Sequence, residues 1–598
     1  MNFINDLHFQ FTELVADNNL KPFAYLLSKR MKEGNICVDL VKENFAMEYE
    51  TWADEIQNII PPFTLDTFTE STNILSINGT DRKPFIVFNN KFYTYRYFTY
   101  ETGIIDKIKL LISQEEMLLA KRKEELKSNC EAIYKLQDAN LEITDWQLVG
   151  CLNSYLSNFS IITGGPGTGK TTTIAKLLVL LYTINPDLKV ALAAPTGKAA
   201  IRMLESLKNN LLSNVEPLKS KIEELEGSTI HRLLGYQPNS HYFKYNQENY
   251  LDYDVIIVDE ASMIDVPLLA KLLGAIEPTK RIILLGDKNQ LASVEAGSML
   301  GDLCNSSIIE KEPTLNVFNE DRKCFINQFL NRANIIESNN TSKGKLLNEH
   351  ITELMLIRRV TEESKIIAQL SKAIIQEDLE EVKALIHRES DNLKVDTYYN
   401  NGIFENFISN YIEYIKEKDI KTAIEKLNKI RVLCAVREGK YGIYTANKKI
   451  ETYLLTRNVL KINTEDYENR PVLVTKNNKE LNLFNGDIGI IRTNSNGHKM
   501  AYFIDKNKDV REIMPANIGS FETVFAMTIH KSQGSEFNDV LIILPENQEN
   551  RLLTKELLYT AITRAKNKVI IQGTEDIILQ TTQTRVKRTS GIIDRINN

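Results

Sequence analysis

Paired cysteines, clustered histidines and long apolar runs are all missing from this chain of 598 residues. The six cysteines lie at positions 37, 130, 151, 304, 324 and 434. Because no two of them form a C-x-x-C pair, the sequence argues against a disulfide framework, a zinc ribbon and a local iron–sulfur motif. The seven histidines are dispersed and match no metal-ligand pattern.

No export or membrane segment is predicted either. No apolar run reaches the length of a membrane span, and the opening MNFINDLHFQF lacks a basic start followed by a long apolar core. We therefore expect a cytoplasmic protein that does not enter a membrane. The net charge of −6 implies that any nucleic-acid site is a local basic groove.

Length and periodicity predict several domains, since a chain of 598 residues is too long for one core. Short apolar runs, typical of buried parallel strands, occur at 190–194, 255–258, 282–285, 432–436, 524–528, 540–544 and 569–572. We predict an N-terminal domain with a helical linker (1–125) and two α/β domains (126–350 and 351–598). Apolar residues at helical spacing between Asp106 and Lys135 predict the helices of the linker. Hairpin signals between about 465 and 520 predict a small β insert in the second α/β domain.

The strongest local signal is a glycine-rich loop between a strand and a helix. The letters GGPGTGKT at 164–171 match the phosphate loop G-x-x-x-x-G-K-[ST], whose backbone N–H groups face phosphate oxygens. Lys170 would reach the β- and γ-phosphates, and the Thr171 hydroxyl would bind Mg²⁺. The predicted contacts with ATP are Gly164, Gly165, Pro166, Gly167, Thr168, Gly169, Lys170, Thr171 and Thr172.

An acid pair and a glutamine follow later apolar runs. Asp259 and Glu260 come directly after the run at 255–258. At this place Asp259 is expected to hold Mg²⁺, and Glu260 is expected to orient and deprotonate the attacking water. Gln290 lies just past the next run, where an amide can sense the γ-phosphate. An acid pair after an apolar run is common by chance, but the phosphate loop upstream favours the catalytic interpretation of Asp259 and Glu260. The alternative for Gln290 is a strand-end turn.

Nine motifs occur in the order found in helicases. They are TDWQ (144–147), GGPGTGKT (164–171), APTGKAA (194–200), STIHRLLG (228–235), DEASM (259–263), GDKNQLASVEAG (286–297), NGDIGI (485–490), TIHKSQGSEF (528–537) and LLYTAITRAK (557–566). Together they resemble superfamily 1 helicases of the 5′→3′ branch. The stretches at 437–451 and 469–490 are most similar to the RecD family, the alpha subunits of exonuclease V, the RecBCD recombination enzyme.

The resemblance implies an α/β fold with two RecA-like P-loop motor domains, each a parallel sheet with helices on both faces. It further implies a small SH3-like β insert in the second motor domain and an N-terminal α+β domain that docks partners. It also implies an ATP- and Mg²⁺-dependent 5′→3′ DNA helicase or translocase, acting on single strands and duplex ends in double-strand break repair and homologous recombination. RecB-like and RecC-like subunits would complete a heterotrimer. We expect the nuclease in a partner, since no clustered carboxylate and lysine pattern is present.

Further nucleotide contacts are implied by the resemblance alone. Gln147 resembles the glutamine that binds the adenine edge, and Glu536 resembles a residue near the ribose. Arg564 matches the arginine that enters the cleft from the second motor domain, where its planar charged fork suits phosphoryl oxygens. The family usually supplies a second arginine from a Tyr-Arg pair. Here the matching stretch contains Arg358 and Arg359 without the tyrosine, and Arg359 is the better candidate.

The resemblance also implies contacts that touch DNA phosphates without reading bases. These are Thr196, Lys198, His231, His530, Lys531 and Ser532. Both histidines could instead be buried structural residues. The segment 237–253, which contains Tyr242 and Phe243, corresponds to a β-hairpin pin that parts the duplex. Strand alternation predicts Phe243 and Tyr245 on one face and Tyr242 on the other, and the alternative is a connecting loop packed on its own domain.

Two other functions stay open on sequence alone. A nucleotide-switched scaffold would hold partner subunits with a weak ATPase, although intact Lys170, Asp259 and Arg564 favour a motor. A stand-alone helicase on RNA or DNA would carry the same general motifs. The RecD-like stretches favour DNA repair.

Overall fold

The computed structural model describes residues 5–597 except for 18, 66–73, 139, 140, 142, 212–215, 239, 241, 309–314, 332–335, 337–344, 359–363, 479, 506, 507 and 547–550. Within this part of the chain, no helix is long and apolar enough to cross a membrane. The strands of the described residues form four sheets, two of them parallel.

The N-terminal unit combines short helices with a small sheet. Its elements are α1 (Leu7–Val15), α2 (Lys21–Lys32), α3 (Phe45–Glu50), α4 (Asp54–Gln57), β1 (Cys37–Asp39), β2 (Leu75–Ile77), β3 (Phe85–Phe88) and β4 (Lys91–Thr94). The strands lie in the order β1-β4-β3-β2. Aromatic rings fill the core: the ring centroid of Phe63 lies 5.2 Å from those of Phe23 and Trp52. An α+β unit therefore occurs where one was predicted, and its docking role stays a prediction.

Two helices, α5 (Tyr95–Ser128) and α6 (Cys130–Leu136), lead into the first α/β domain. The sequence predicted helices from residue 106 onward, but α5 begins earlier because its first turns also bury apolar side chains. Glu115 of α5 is buried, forms an ion pair with Arg322 and shares a hydrogen bond with His350. Although burial alone would raise the pKa of Glu115, the His350 hydrogen bond and the Arg322 charge lower it to about 2. This cluster fixes the linker helix to the first α/β domain.

The first α/β domain is built on a six-stranded parallel sheet in the order β10-β5-β9-β8-β6-β7. Its strands are β5 (Phe159–Thr163), β6 (Val190–Ala194), β7 (Gly227–Thr229), β8 (Val255–Val258), β9 (Arg281–Gly286) and β10 (Ile351–Glu353). Its helices are α7 (Trp146–Leu156), α8 (Lys170–Ile184), α9 (Gly197–Leu211), α10 (Glu216–Glu223), α11 (Ile230–Leu233), α12 (Val266–Gly274), α13 (Met299–Asn305) and α14 (Glu320–Asn327).

Helices cover both faces of this sheet. Along β9, Ile282 and Leu284 belong to one buried cluster, whereas Ile283 and Leu285 belong to another. Successive side chains of a strand point to opposite faces, so each cluster lies on its own side. The continuous apolar runs therefore predicted this sheet correctly.

The second α/β domain has a five-stranded parallel sheet in the order β11-β20-β19-β12-β18. Its strands are β11 (Leu393–Asp396), β12 (Ile430–Cys434), β18 (Ala526–Thr528), β19 (Phe537–Ile543) and β20 (Ala565–Gln572). Its helices are α15 (Lys365–Gln376), α16 (Leu379–His387), α17 (Asn401–Ile408), α18 (Tyr411–Lys416), α19 (Ile420–Leu427), α20 (Ile443–Thr456), α22 (Lys555–Ile562) and α23 (Glu575–Gln583).

An antiparallel sheet with one short helix lies between β12 and β18, as the hairpin signals predicted. It consists of β13 (Arg470–Val474), β14 (Ile488–Thr493), β15 (Lys499–Ile504), β16 (Val510–Ile513), α21 (Pro515–Ile518) and β17 (Phe521–Thr523). The strand order is β16-β15-β14-β13-β17. Gly497 has a φ of +82° in the turn between β14 and β15, where a left-handed backbone favours glycine. The likeness of this insert to an SH3 barrel stays a prediction.

Residues 585–597, here called the return segment, leave the second α/β domain and cross back to the N-terminal unit through α24 (Ile592–Arg595). Glu101 of α5 is completely buried and accepts hydrogen bonds from Gly591 N (2.6 Å) and Arg595 Nη1 (2.7 Å). Lys91 pairs with Asp594 at 2.6 Å. No pattern in the sequence predicted this crossing.

Candidate functional site

The phosphate loop has the backbone that its glycines allow. Gly167 and Gly169 have φ values of +78° and +88°, and α8 begins directly afterwards at Lys170. Such a turn, followed by a helix N-terminus, presents N–H groups to an anion. The Lys170 ammonium donates to the carbonyl oxygens of Gly164 (2.5 Å) and Gly165 (3.2 Å).

Both α/β domains line a cleft of about 440 Å³ in front of this loop. The phosphate-loop residues that line it are Gly165, Pro166, Gly167, Gly169, Lys170, Thr171 and Thr172. Gly164 lies behind them, where its N–H donates to Gly286 O at 3.2 Å. The Thr168 side chain is buried and donates to Gly165 O at 2.8 Å, so it stabilises the loop.

The acid pair enters the cleft at the end of β8. The Glu260 N–H donates to Asp259 Oδ1 at 2.8 Å, and Glu260 has a φ of +53°. A left-handed backbone is costly for a residue other than glycine and is typical of functional sites. Burial, together with the Glu260 carboxylate, raises the pKa of Asp259 to about 6. A carboxylate in these surroundings is stabilised by a bound cation.

Asp287 and Gln290 connect the cleft to the second α/β domain. Asp287 is buried, and its Oδ2 accepts from Gln290 Nε2 (3.1 Å) and from the Tyr559 hydroxyl of α22 (2.8 Å). One residue on, Leu291 N donates to Thr560 Oγ1 at 3.0 Å. Gln290 thus lies where the first domain meets the second.

Two arginines face each other across the same cleft. Arg564 is 4% exposed, and its Nε and Nη1 donate to Thr560 O (3.1 Å) and Ser535 O (3.2 Å). Arg202 of α9 lies on the opposite wall and donates through Nη1 to Gly534 O. The sequence interpretation missed Arg202, although it follows Lys198 by four residues and therefore shares its helix face.

A second cavity, of about 540 Å³, adjoins the other side of the phosphate loop. Leu354, Met355 and Ile357 contribute apolar side chains to it. Gln147 is 3% exposed and donates to Thr168 O at 3.1 Å, while its Oε1 has no hydrogen-bond partner. A buried amide oxygen without a partner is costly, which makes it a candidate acceptor for a ligand. Glu536 borders both cavities and pairs with Lys566 at 3.0 Å.

The second predicted arginine, Arg359, lies outside the described residues. Its neighbour Arg358 pairs with Asp138 (2.5 Å) and Asp145 (3.2 Å), and its N–H donates to Gly167 O at 2.8 Å. In this structure Arg358 therefore braces the phosphate loop.

Four of the predicted DNA contacts have half-buried side chains, and a fifth is completely buried. Lys198 is half-buried and donates to Ser535 Oγ at 2.9 Å across the domain interface, and burial lowers its pKa to about 7. Lys531 pairs with Glu522 at 2.6 Å, while Thr196 and His530 are half-buried. Ser532 corrects the prediction: it is completely buried and its hydroxyl donates to Ile529 O at 2.6 Å. That hydroxyl stabilises a turn and does not face a strand.

The segment 237–253 differs from the predicted hairpin. Its described residues make single antiparallel bridges, at Tyr236 with Phe243 and at Asn246 with Asn249, instead of a two-stranded ladder. The predicted alternation is confirmed: Phe243 and Tyr245 pack on the first domain, whereas Tyr242 is 81% exposed. The Phe243 ring lies edge-on to the exposed His231, with 5.7 Å between centroids.

The chain thus has two α/β domains, each with a parallel sheet. A phosphate loop and an acid pair in the first domain face an arginine of the second, which defines a two-domain P-loop nucleotide-binding protein of the helicase class. A family model described as AAA domain matches residues 151–296, and one described as UvrD-like helicase C-terminal domain matches residues 523–572. A Bacteroides Pif1 structure aligns at 16% identity over 73% of this chain and 93% of that one, with a TM-score of 0.35.

Curated relatives described as RecBCD enzyme subunit RecD cover most of the chain. The Haemophilus influenzae protein is 34% identical over 485 residues, or 75% of this chain and 72% of the relative. The Buchnera aphidicola protein is 31% identical over 523 residues, or 84% of this chain and 83% of the relative. The chain belongs to the RecD family.

Proposed function

We propose that this protein is an ATP-dependent 5′→3′ DNA helicase and translocase, one subunit of a RecBCD-type helicase–nuclease. The observation that carries the proposal is the cleft in which Lys170, Asp259 and Glu260 of one domain face Arg564 of the other. A site divided between two domains couples ATP turnover to their relative motion, which a motor requires.

Six residues of the cleft would act in ATP hydrolysis. Lys170 binds the β- and γ-phosphates, Glu260 orients and deprotonates water, and Gln290 senses the γ-phosphate. Arg564 stabilises the charge that develops on the transferred phosphoryl group. Thr171 and the half-buried Asp259 would hold Mg²⁺, which neutralises phosphate charge when it is bound. The base would lie against Leu354, Met355 and Ile357, and Glu536 would lie near the ribose. Gln147, which is buried and donates to Thr168 O of the phosphate loop, would bind the adenine edge.

DNA lies across the motor domains, where Thr196, Lys198, His530 and Lys531 contact its phosphates without reading sequence. RecB-like and RecC-like subunits complete the assembly in the cytoplasm, and the nuclease resides in a partner. The complex acts on duplex ends in double-strand break repair and homologous recombination. The names of the curated relatives support this assignment.

Directional unwinding tests the proposal. With ATP and Mg²⁺, the complex whose other motor is disabled is expected to unwind a partial duplex with a 5′ single-stranded tail, and not one with a 3′ tail. Lys170→Gln provides the matched control, because it removes a phosphate contact and should abolish DNA-stimulated hydrolysis without unfolding the chain. Unwinding only from 3′ tails, or normal turnover by Lys170→Gln at saturating ATP, would contradict the proposal.

A further inference from the structure

Residues 286–297, here called the sensor loop, carry Gln290 and join the nucleotide cleft to the N-terminal unit. The first half of the loop faces the second motor domain. Leu291 N donates to Thr560 Oγ1 at 3.0 Å, and Leu291 O accepts from Gln533 Nε2 at 2.8 Å. Both partners belong to motifs of the second motor domain. This half of the loop should therefore move together with that domain.

The other half of the sensor loop is held from behind by two different parts of the chain. Gly297 N donates to Gly34 O of the N-terminal unit at 2.9 Å. Arg588 of the return segment donates through Nη1 to the carbonyl oxygens of Gly297 (2.7 Å) and Glu295 (3.0 Å). The loop is buried at Gln290 and again at Gly297, whereas Val294 and Glu295 between them are exposed. The buried Ser293 hydroxyl donates to Glu295 O (2.9 Å) and Gly297 O (3.1 Å), so hydrogen bonds connect the middle of the loop to the end that Arg588 holds.

Arg588 is itself placed by the N-terminal unit. The next residue, Thr589, donates through its N–H to Asn35 Oδ1 at 2.7 Å and accepts from Ile36 N at 3.1 Å. Gly34 has a φ of +93°, and a Cβ added there would lie 2.8 Å from Arg588 Nε. The guanidinium is thus confined between Gly34 and the sensor loop, and the hydrogen bonds it donates go to backbone carbonyls of that loop.

We propose that Arg588 is a positioning residue for ATP hydrolysis. With Gly34, it fixes the sensor loop so that Gln290 meets the γ-phosphate, and in this way the N-terminal unit controls ATP turnover. The proposal rests on the proposed function of the cleft, and it adds a route from the N-terminal unit to that cleft.

Kinetics of the full-length protein with single-stranded DNA test the role of Arg588. Because Arg588→Met loosens the sensor loop without touching the nucleotide, kcat should fall about 10- to 100-fold while KM for ATP changes by no more than about twofold. Arg588→Lys keeps a donor and should restore part of kcat. Hydrogen exchange of the amides at 291–297 should speed up in Arg588→Met. The matched control is Arg585→Ala, since Arg585 of the same segment pairs with Glu377, which lies outside the sensor loop.

A substitution in the N-terminal unit tests the route itself. Gly34→Ala should displace Arg588 and reproduce the loss of kcat and the faster exchange at 291–297. Gly497→Ala serves as its control, because Gly497 also has a positive φ but an added Cβ would meet nothing within 4 Å. Thermal melts of all variants separate these effects from unfolding.

Two results would overturn the inference: a wild-type kcat in Arg588→Met, or equal losses in Arg588→Met and Arg588→Lys with unchanged exchange at 291–297. Failure of the proposed function has a different signature. In that case the wild-type protein hydrolyses no ATP, while hydrogen exchange still reports whether Arg588 and Gly34 restrain the loop.

Discussion

Arg564 lies beside the nucleotide cleft although it belongs to the second motor domain, between α22 and β20. Its carbonyl partners, Thr560 and Ser535, come from that same domain. The guanidinium therefore reaches the nucleotide only when the two domains meet. Because it acts on charge that develops during transfer, we expect Arg564→Ala to retain ATP binding and to lower kcat about 10³-fold or more.

Nucleotide binding and single-turnover hydrolysis measured side by side check this prediction. Lys568→Ala is a matched control, since Lys568 is a basic residue four positions after Arg564, in β20, and is not among the residues that line the cleft. Hydrolysis by Arg564→Ala at close to the wild-type rate would show that the second domain contributes no charge to the reaction.

The buried carboxyl group of Asp302 predicts how the stability of the protein depends on pH. This carboxyl group is buried beside Ser590 of the return segment, and burial raises its pKa from 3.8 to about 7. The folded protein thus favours the protonated form, so the stability due to Asp302 is present below about pH 4 and is lost as the pH rises to 7. Asp302→Asn should therefore stabilise the protein by about 1–4 kcal/mol at pH 8 and by little at pH 4.

Calorimetry at both pH values measures this difference. The exposed Asp252, changed to asparagine, should show no comparable gain between the two pH values. If Asp302→Asn raises the melting temperature equally at pH 4 and pH 8, the buried carboxyl group is not the cause.

Single residues differ in how far the sequence reveals them. Lys170 and Asp259 were predictable because fixed spacing and an adjacent strand determine their positions. Ser532 was assigned to DNA wrongly, since its motif does not tell which hydroxyls a local turn uses. Arg202 and Arg588 were missed because each acts on a distant segment, at Gly534 and Gly297, and no local pattern encodes such a pairing.

Among the elements, the segment 237–253 differs most from its prediction, and it leads to a sharper test. Phe243 and Tyr245 pack on the first motor domain, whereas the Tyr242 side chain is exposed to solvent and can contact DNA. Stacking an aromatic ring on an unpaired base is worth about 1–3 kcal/mol, comparable to breaking one base-pair step. We expect Tyr242→Ala, and deletion of 242–249, to reduce unwinding while DNA-stimulated ATPase and single-strand translocation continue.

Tyr398, which is 90% exposed on the second motor domain, provides the control substitution to alanine. Equal loss of ATPase and unwinding in Tyr242→Ala would mean that the segment is structural. Unimpaired unwinding would remove it from the mechanism.

Elements were predictable where periodicity and burial agree. The apolar runs at 255–258 and 282–285 predicted strands β8 and β9. The turn signal that includes Gly497 predicted the hairpin of β14 and β15. The start of α5 was missed because its aromatic first turn, Tyr95 to Tyr100, has strand-like composition. Packing against neighbouring elements decided in favour of a helix.

For the whole molecule, the motif order predicted two α/β domains with a shared cleft, and the structure and the curated relatives confirm that class. The path of residues 585–597 was not predictable. Its contacts with Asn35 and Glu101 join positions about five hundred residues apart, and such pairings leave no trace in local periodicity.

That path also has a consequence for biosynthesis. A ribosome releases the N-terminal unit first and residues 585–597 only after the rest of the described chain. Until then Glu101 lacks the partners supplied by Gly591 and Arg595, and Gly297 lacks Arg588. A nascent chain can therefore fold each α/β domain in turn, yet the residue that we propose to fix the sensor loop is added last. Copies that end before Arg588 would consequently hydrolyse ATP about 10- to 100-fold more slowly than the finished protein.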